Sequence, residues 1–482
     1  MLQTHRDASA PSETLLPLCV DLDGTLVKSD TLHDSILALL RSHPSKALAL
    51  PAKAFQGKAA FKRYVTDAVA IDVQHLPYNR KLLQYLREER ARGRAIYLAT
   101  GADERLAQRV ASHLGLFDGV LGSNGTTNLT GKSKLDQLKV SLSSPEFDYI
   151  GNDTPDLPLL RHSSQPMVAN PTLRLRMMAG SLKPLREFNE RSHPLRAFFK
   201  AIRLHQWAKN ILMFLPLLLA HNLHWSGIFI TALAFACFSL TASATYIVND
   251  LLDLETDRRH PRKSKRPFAS GDLSAFQGLA VAGLFLAGAL LGAQFLPAEF
   301  FGWLLLYFVT TLTYSTVLKR IPLVDVMVLS GLYTLRLLAG GAATHTPISP
   351  WMAGFSVFLF LSLAIVKRFA ELENLRISGA QPKNGRGYLL SDMEQLRSFG
   401  TASAYSAVVI FAMYISGQTS NTLYHHPNRL WLMLPLMIFW VSRAWLLASR
   451  GELNEDPVVW AVTDRVSLLL GVAIAIVIFL AI

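Results

Sequence analysis

Cysteine is nearly missing: the 482 residues hold two, Cys19 and Cys237. They fall in opposite halves, which excludes a disulfide framework and fits a reducing compartment. Charge is scarce as well. Only 17% of residues are Asp, Glu, Lys or Arg while 50% are hydrophobic, too little charge for an ordinary soluble protein. The opening residues, MLQTHRDASAPSETLL, lack the apolar core of a secretory signal. The N-terminal part is therefore expected to stay in the cytoplasm. The basic excess of +13 is not accompanied by the basic-aromatic pattern of a nucleic-acid module, so nucleic acid is not an expected partner. In a chain this apolar, the excess fits loops that face anionic membrane lipid.

The averages hide a division. Residues 1–185 are mixed and polar, 186–204 form a basic, Pro-containing linker suited to a membrane surface, and 205–482 are dominated by apolar runs. A helix needs about 20 apolar residues to cross about 30 Å of hydrocarbon. Nine runs qualify as candidates: 207–221, 227–248, 275–295, 298–318, 323–343, 350–367, 400–418, 430–448 and 464–482. With the N-terminus inside, the cytoplasmic connections carry Arg258 to Arg266, Lys319 and Arg320, Lys367 to Arg397, and Arg450. The opposite connections carry only Arg429. This asymmetry predicts a multi-pass protein of a bacterial-type inner membrane with its active site on the cytoplasmic side.

The second run ends in VNDLLDLETDRRHPRKSKRPFASG, from Val248. Asp250, Asp253 and Asp257 lie three and four residues apart, so a helix puts them on one face. An aspartate at membrane depth costs about 2.5–3.5 kcal/mol on insertion scales. A divalent cation offsets the repulsion among three, and Mg²⁺ takes one or two carboxylates and fills its shell with water and phosphate oxygens. The basic residues behind, including Lys265 and Arg266, suit further phosphate oxygens. The plain alternative is a solvated helix end with an inside-facing basic loop. Asp325 and Arg336, eleven residues apart in one run, invite either an ion pair or a functional role. Arg443 is expected to snorkel, and Asp464 and Arg465 to cap the last helix.

Asn249-Asp250-x-x-Asp253-x-x-x-Asp257 resembles the first aspartate-rich motif of the UbiA superfamily of intramembrane prenyltransferases. The resemblance implies an all-α bundle of nine transmembrane helices that binds Mg²⁺-diphosphate through Asn249, Asp250, Asp253 and Asp257, with Asp250 and Asp253 catalytic. Family members with aromatic acceptors carry a second motif, DxxxD. Here the corresponding stretch is VKRFAELENL, with Lys367, Arg368 and Glu371 and no aspartate pair. The segments RLHQWAKN and DVMVLSGLYTLRLLAGGAAT are similar instead to the decaprenyl-phosphate phosphoribosyltransferase branch. That branch implies 5-phosphoribosyl 1-diphosphate (PRPP) as donor and a polyprenyl phosphate as acceptor. Candidate substrate-binding residues are then Lys209, Asn210, Arg258, Arg262, Lys265, Arg266, Tyr314, Lys319, Asp325, Arg336, Lys367, Arg368 and Glu371. A homo-oligomer is compatible with such a bundle.

In the polar half, apolar residues of LPLCVDLDGTLVKSD lead into Asp21-x-Asp23-Gly24-Thr25. A strand ending in paired aspartates fits a site at the carboxyl edge of an α/β sheet. Asp21 suits nucleophilic attack on phosphorus and Asp23 proton transfer. Thr100, then Lys132 with Lys134 as its alternative, then Asn152, Asp153 and Asp156 follow in an order that resembles the haloacid dehalogenase (HAD) superfamily. The resemblance implies an α/β Rossmann-like domain with a small helical cap at about 30–85, a phosphate-binding Thr100, a charge-balancing lysine, and Mg²⁺ held by Asp21, Asp23, Asn152, Asp153 and Asp156. Asn152 stands where the family usually has aspartate, so a retired phosphatase is the competing reading. Two phosphate-handling halves on one chain lead to an expected sequence: transfer of 5-phosphoribose to the lipid, then removal of its 5-phosphate. The rivals are an aromatic prenyltransferase with an unrelated HAD domain, and a transporter with a soluble regulatory domain.

Overall fold

Six short strands form in the first unit, the inner ones largely apolar: β1 (Leu18–Val20), β2 (Ile96–Asp103), β3 (Gly119–Ser123), β4 (Asp148–Gly151), β5 (Pro166–Ala169) and β6 (Arg186–Phe188). They form one parallel sheet in the order β3-β2-β1-β4-β5-β6. The chain winds outward on both sides of β1, so the switch point, where α/β ligand sites form, falls at its carboxyl end. Between β1 and β2 lie helices Thr31–Ser42, Pro44–Ala47, Leu50–Ala54 and Lys58–Ala68, the helical cap expected there. This computed structural model describes residues 15–142, 144–180, 183–221, 223–379, 386–417, 423–453 and 457–482. Lys383, counted among the inside-facing basic residues, lies outside them.

The chain divides into two compact units that are not consecutive in sequence. One holds the residues up to Ile202 together with Asp250–Ala280; the other holds Arg203–Asn249 and Val281–Ile482. The aspartate-rich segment thus belongs to the unit that holds the sheet, and it contacts Asp34 and Asp72 between β1 and β2. Beneath the sheet's edge, the guanidinium of Arg94 is buried against the carboxylates of Glu89, at 2.8 Å, and Asp148. It also donates to the Leu16 carbonyl at 2.7 Å.

The second unit is helical. Among the described residues, six helices are long and apolar enough to cross a membrane: Trp225–Leu252, Ala275–Ala293, Val324–Ala343, Pro350–Ile377, Leu390–Ile415 and Pro427–Ser449. Several begin or end in the neighbouring unit or in short 3₁₀ turns. The expected count of nine is not confirmed. The 207–221 run is a 3₁₀ stretch, Leu204–Phe214, followed by the short helix Leu215–Leu219. Helix Ala298–Thr316 exists but is not among the six. Arg465–Ala481 is apolar but has only 17 residues, about 26 Å at helical rise. Polar residues inside this unit pair with each other, as an apolar surround demands. Arg443, expected to snorkel, forms a two-pronged pair with Asp464 at 2.6 and 3.0 Å. Asp464 also caps its helix, accepting from the Ser467 backbone at 2.8 Å.

Removing Arg94 would leave Asp148 and Glu89 as buried, uncompensated charges. Arg94→Met is expected to destabilise the sheet unit by about 3–5 kcal/mol, read as a lowered unfolding midpoint in denaturant.

Candidate active sites

At the carboxyl end of β1 the chain turns sharply, and Gly24 makes the turn possible. Its φ is +74°, and a Cβ there would lie 2.1 Å from the Asn152 amide nitrogen. The turn brings Asp21, Thr25 and Asn152 together: the Thr25 hydroxyl lies 3.5 Å from Asp21 Oδ2 and 3.3 Å from Asn152 Oδ1. Asp23 accepts the Thr31 backbone N–H at 2.7 Å, which ties it to the first turn of the cap. Thr100 is fully buried in β2, its hydroxyl accepting from the Ala102 backbone at 3.0 Å.

The lysine beside this edge is Lys134. It is buried, with Nζ 2.8 Å from Asp21 Oδ1, 3.3 Å from Asp156 Oδ1 and 3.0 Å from the Tyr149 hydroxyl. Lys132, two residues earlier on the helix, is exposed because a two-residue step turns a side chain well away from a shared face. Asp156 is fully engaged. It accepts from Lys134, from Tyr149 at 2.8 Å, and from the backbones of Asn152 at 3.0 Å and Asp153 at 3.2 Å. It orients the loop rather than offering free oxygens to a metal. Asp153 Oδ1 is likewise occupied, by the Thr154 backbone and the Thr172 hydroxyl at 2.8 and 2.7 Å.

Among the described residues no three His, Cys, Asp or Glu side chains converge as a metal-binding group. Oxygen ligands available at the sheet edge are those of Asp21 and Asp23 and the Asn152 Oδ1, which the Thr25 hydroxyl also reaches. Two carboxylates and an amide oxygen, completed by water and phosphate, suit Mg²⁺. Electrostatics agree. Burial pushes the Asp21 carboxyl up to about 6, against the pull of Lys134. Burial and the neighbouring Asp30 push Asp23 up to about 8. At both positions burial is the leading cause of the shift.

The aspartate-rich segment has two faces. On one, Asp250 at the end of helix Trp225–Leu252 and Asp257 in helix Leu254–Arg259 are both buried. The Arg266 guanidinium bridges them, 3.0 Å from Asp250 and 2.6 Å from Asp257. Burial, aided by Asp250, raises the Asp257 carboxyl even so. On the other face, Arg258 turns away from the aspartates. It pairs with buried Asp34 of the cap at 2.9 Å and donates to the Ser29 hydroxyl at 3.1 Å. Arg41 reaches the Leu252 carbonyl at 3.0 Å and Thr256 at 2.9 Å, and lies 3.7 Å from the partly exposed Asp253. Arg262 and Lys265 are exposed.

In the helical unit, Asp325 and Arg336 do not pair. Asp325 is fully buried and is held by Arg368, with the Tyr314 hydroxyl donating at 2.7 Å. Arg368 also grips Glu371 through two bonds of 2.7 Å. Arg386 stands 3.9 Å from Asp325 and 4.0 Å from Glu371. It was read from sequence only as a loop charge, because its partners are more than a dozen residues away. Arg336 instead donates to Asn210 Oδ1 at 2.7 Å and to the Tyr307 hydroxyl at 3.1 Å. Asn210 passes the contact on to Ser239 at 2.9 Å. Lys209 lies over the Tyr333 ring, 5.6 Å from its centre. Lys319 approaches Asn249 Oδ1 at 3.5 Å. Lys367 is half-buried.

Residues 211–469 match the model of the UbiA prenyltransferase family, and residues 18–161 match that of the haloacid dehalogenase-like hydrolases. The chain belongs to the UbiA prenyltransferase family. Its N-terminal part is a HAD-like domain. An uncharacterized Sinorhizobium fredii protein, y4nM, is 37% identical over 469 residues, covering 95% of this chain and 90% of its own. Nodulation protein NoeC of Azorhizobium caulinodans is 34% identical over 292 residues, 59% of this chain and 93% of that one. The decaprenyl-phosphate phosphoribosyltransferase of Mycobacterium tuberculosis is 30% identical over 280 residues, 57% of this chain and 90% of its own. A solved UbiA homolog from Archaeoglobus fulgidus bound to GPP and Mg²⁺ aligns with a TM-score of 0.45 at 18% identity, over 58% of this chain and 96% of that one.

Two outcomes follow from the sheet edge. Lys134→Ala is expected to lower hydrolysis of p-nitrophenyl phosphate by about 10² or more, while Lys132→Ala leaves it nearly unchanged in the same steady-state assay. The second concerns pH. Asp21 and Asp23 have raised native pKa values, so their protonated forms favour the fold at low pH, and that contribution is lost as pH rises through about 6 and about 8. A Mg²⁺ ion held by these carboxylates would relieve the loss. It should raise the melting temperature more at about pH 8 than at about pH 5, and the Asp21→Asn/Asp23→Asn double variant should lose that difference.

Proposed function

We propose that the UbiA part transfers 5-phosphoribose from PRPP to a polyprenyl phosphate, and that the HAD-like part then removes the 5-phosphate. The observation that carries this reading is the sequence kinship over the whole transferase part with enzymes named decaprenyl-phosphate phosphoribosyltransferase. It is joined by the charge pattern. The segment where a second DxxxD would stand offers Arg368 and Glu371, locked to one another and to Asp325. The stretch VKRFAELENL carries no DxxxD aspartate pair, which favours PRPP over a prenyl diphosphate as donor.

In the transfer, an oxygen of the lipid phosphate attacks ribose C1. The C1–O bond to the diphosphate breaks, and its electron pair leaves with pyrophosphate. The lipid phosphate is already an anion, so no strong base is required. The harder task is to hold two anions together, and a basic site addresses it. Asp250, Asp253 and Asp257 are the residues that would hold Mg²⁺, with Asn249 beside them. The ion supplies neutralisation of the departing diphosphate. Arg266, poised on Asp250 and Asp257, and the exposed Arg262 and Lys265 are suited to take diphosphate oxygens. The inside-positive loops support a cytoplasmic face of the inner membrane as the place where soluble PRPP enters.

In the second step, Asp21 attacks the 5-phosphate phosphorus while the bond to the ribose 5-oxygen breaks. Asp23 hands its proton to that oxygen, a role its raised pKa suits. Water then hydrolyses the aspartyl phosphate and releases inorganic phosphate. Lys134 holds the Asp21 carboxylate in place throughout.

Protein in nanodiscs, given Mg²⁺, PRPP and a polyprenyl phosphate, is expected to release pyrophosphate and form the phosphoribosyl lipid first, then the dephosphorylated lipid. Asp250→Asn should slow the first product by about 10² or more; Asp21→Asn should halt the series at the phosphorylated lipid. Turnover of a prenyl diphosphate with an aromatic acceptor, and none with PRPP, contradicts the proposal.

A further inference from the structure

The sheet-edge site opens into a cavity of about 1010 Å³. It runs from Asp21 and Asp23, past Lys28 and Arg191, to Ser274 and Gln277. The last two residues cap and begin helix Ala275–Ala293, one of the six long enough to cross a membrane. One wall of this cavity is therefore the entry of a membrane helix. The contact is close. Gly271, at φ +74°, sits where a Cβ would come within 2.7 Å of the Lys28 Cβ.

Most cations of the cavity are already used. Lys134 is held by Asp21 and Asp156. Lys62 donates to the Gly101 carbonyl at 2.5 Å and to Asn128 at 2.8 Å. Arg176 lies 3.8 Å from Glu187. Lys28 and Arg191 differ. Arg191 Nη2 donates to the Lys28 carbonyl at 2.6 Å, which makes the two residues neighbours but neutralises neither charge. Among the described residues no carboxylate forms a salt bridge with either. Asp272 and Asp153 act on Arg191 through space, and each is already bound, Asp272 by the Ser192 backbone and hydroxyl at 3.2 and 2.8 Å. Two neighbouring cations with no carboxylate in salt-bridge contact, on the wall of this cavity, are a place for an anion.

We propose that Lys28 and Arg191 form a second anion site, which holds the phosphodiester of a membrane-anchored sugar phosphate while its terminal phosphomonoester meets Asp21. The inference rests on the phosphatase reading above and adds how the lipid product is told apart from free sugar phosphates. A guanidinium fork and an ammonium match the oxygens of a singly charged diester. The diester's lipid chain stays with the bilayer beside helix Ala275–Ala293, and the sugar spans to the catalytic aspartates.

The test uses the full chain in nanodiscs with Arg191→Gln and Lys28→Gln. The substrates are ribose 5-phosphate, a synthetic farnesyl-phosphoryl ribose 5-phosphate, and PRPP. Each variant is expected to raise KM for the farnesyl diester about tenfold or more, the loss of a charge-assisted contact, while kcat and KM for ribose 5-phosphate stay within about twofold. Equal losses on both substrates, or no loss on either, overturn the proposal. Loss of 5-phosphate from PRPP that is faster than from the farnesyl diester and equally sensitive to Arg191→Gln assigns the site to the soluble diphosphate and overturns the lipid assignment. Wild-type hydrolysis of ribose 5-phosphate without any of the diester overturns this inference alone. Wild-type hydrolysis of none of the three overturns the phosphatase reading, and this inference with it.

Discussion

Asp250 and Asp257 are like charges buried side by side, and one guanidinium, Arg266, holds them. Without a cation between them their repulsion and desolvation would unravel the end of helix Trp225–Leu252, where the membrane run meets the basic loop. The helix breaks at Asp253 and resumes at Leu254, so that Asp250 and Asp257, seven residues apart, face the same arginine. The rest of the arrangement depends on this knot. On the proposed reaction it fixes where a diphosphate would be received, and it decides which way the next residue, Arg258, must point.

Because Arg258 follows Asp257 directly, it emerges on the opposite side and meets Asp34 and Ser29 of the HAD-like part. Arg259 adds a contact to Asp72 at 2.8 Å, and Glu255 accepts the Asp72 backbone at 3.0 Å. The segment Asp250–Arg266 thus turns Asp250 and Asp257 to Arg266 and sends Arg258 and Arg259 to Asp34 and Asp72. Such a buried arginine–aspartate pair adds little net stability but strongly penalises any arrangement that leaves one partner alone. Its value is registry. On the proposed reaction, the group that receives the diphosphate and the loop that carries Asp23 are held by neighbouring residues of one segment.

Much of this was legible in residue order. Asp21 to Thr25, Thr100 and the Asn152 loop could be placed because a strand followed by paired aspartates has few structural meanings. The aspartate spacing at 250, 253 and 257 predicted one helical face; the helix instead breaks at Asp253, so Asp250 and Asp257 meet Arg266 while Asp253 lies near Arg41. What sequence could not settle was partner choice between distant segments. Lys132 and Lys134 differ by two positions, and only helix phase shows that Lys134 turns inward. Asp325 and Arg336 share a helix at compatible spacing, yet each finds a better partner elsewhere, Arg368 and Asn210 respectively. The separation between those partners in sequence hides them from any local pattern. The count of nine spans is not confirmed for a different reason: apolar composition does not distinguish a helix from the 3₁₀ path at Leu204–Phe214, or a long helix from the 17 residues of Arg465–Ala481.

The most direct measurement is an experimental density map of the full chain in a lipid nanodisc with Mg²⁺ and a non-hydrolysable PRPP analogue. Diphosphate density against Asp250, Asp253 and Asp257 is expected, with Arg266 moved off its bridge between the carboxylates and onto the ligand. Diphosphate bound elsewhere, with Arg266 still spanning Asp250 and Asp257, would contradict the central claim.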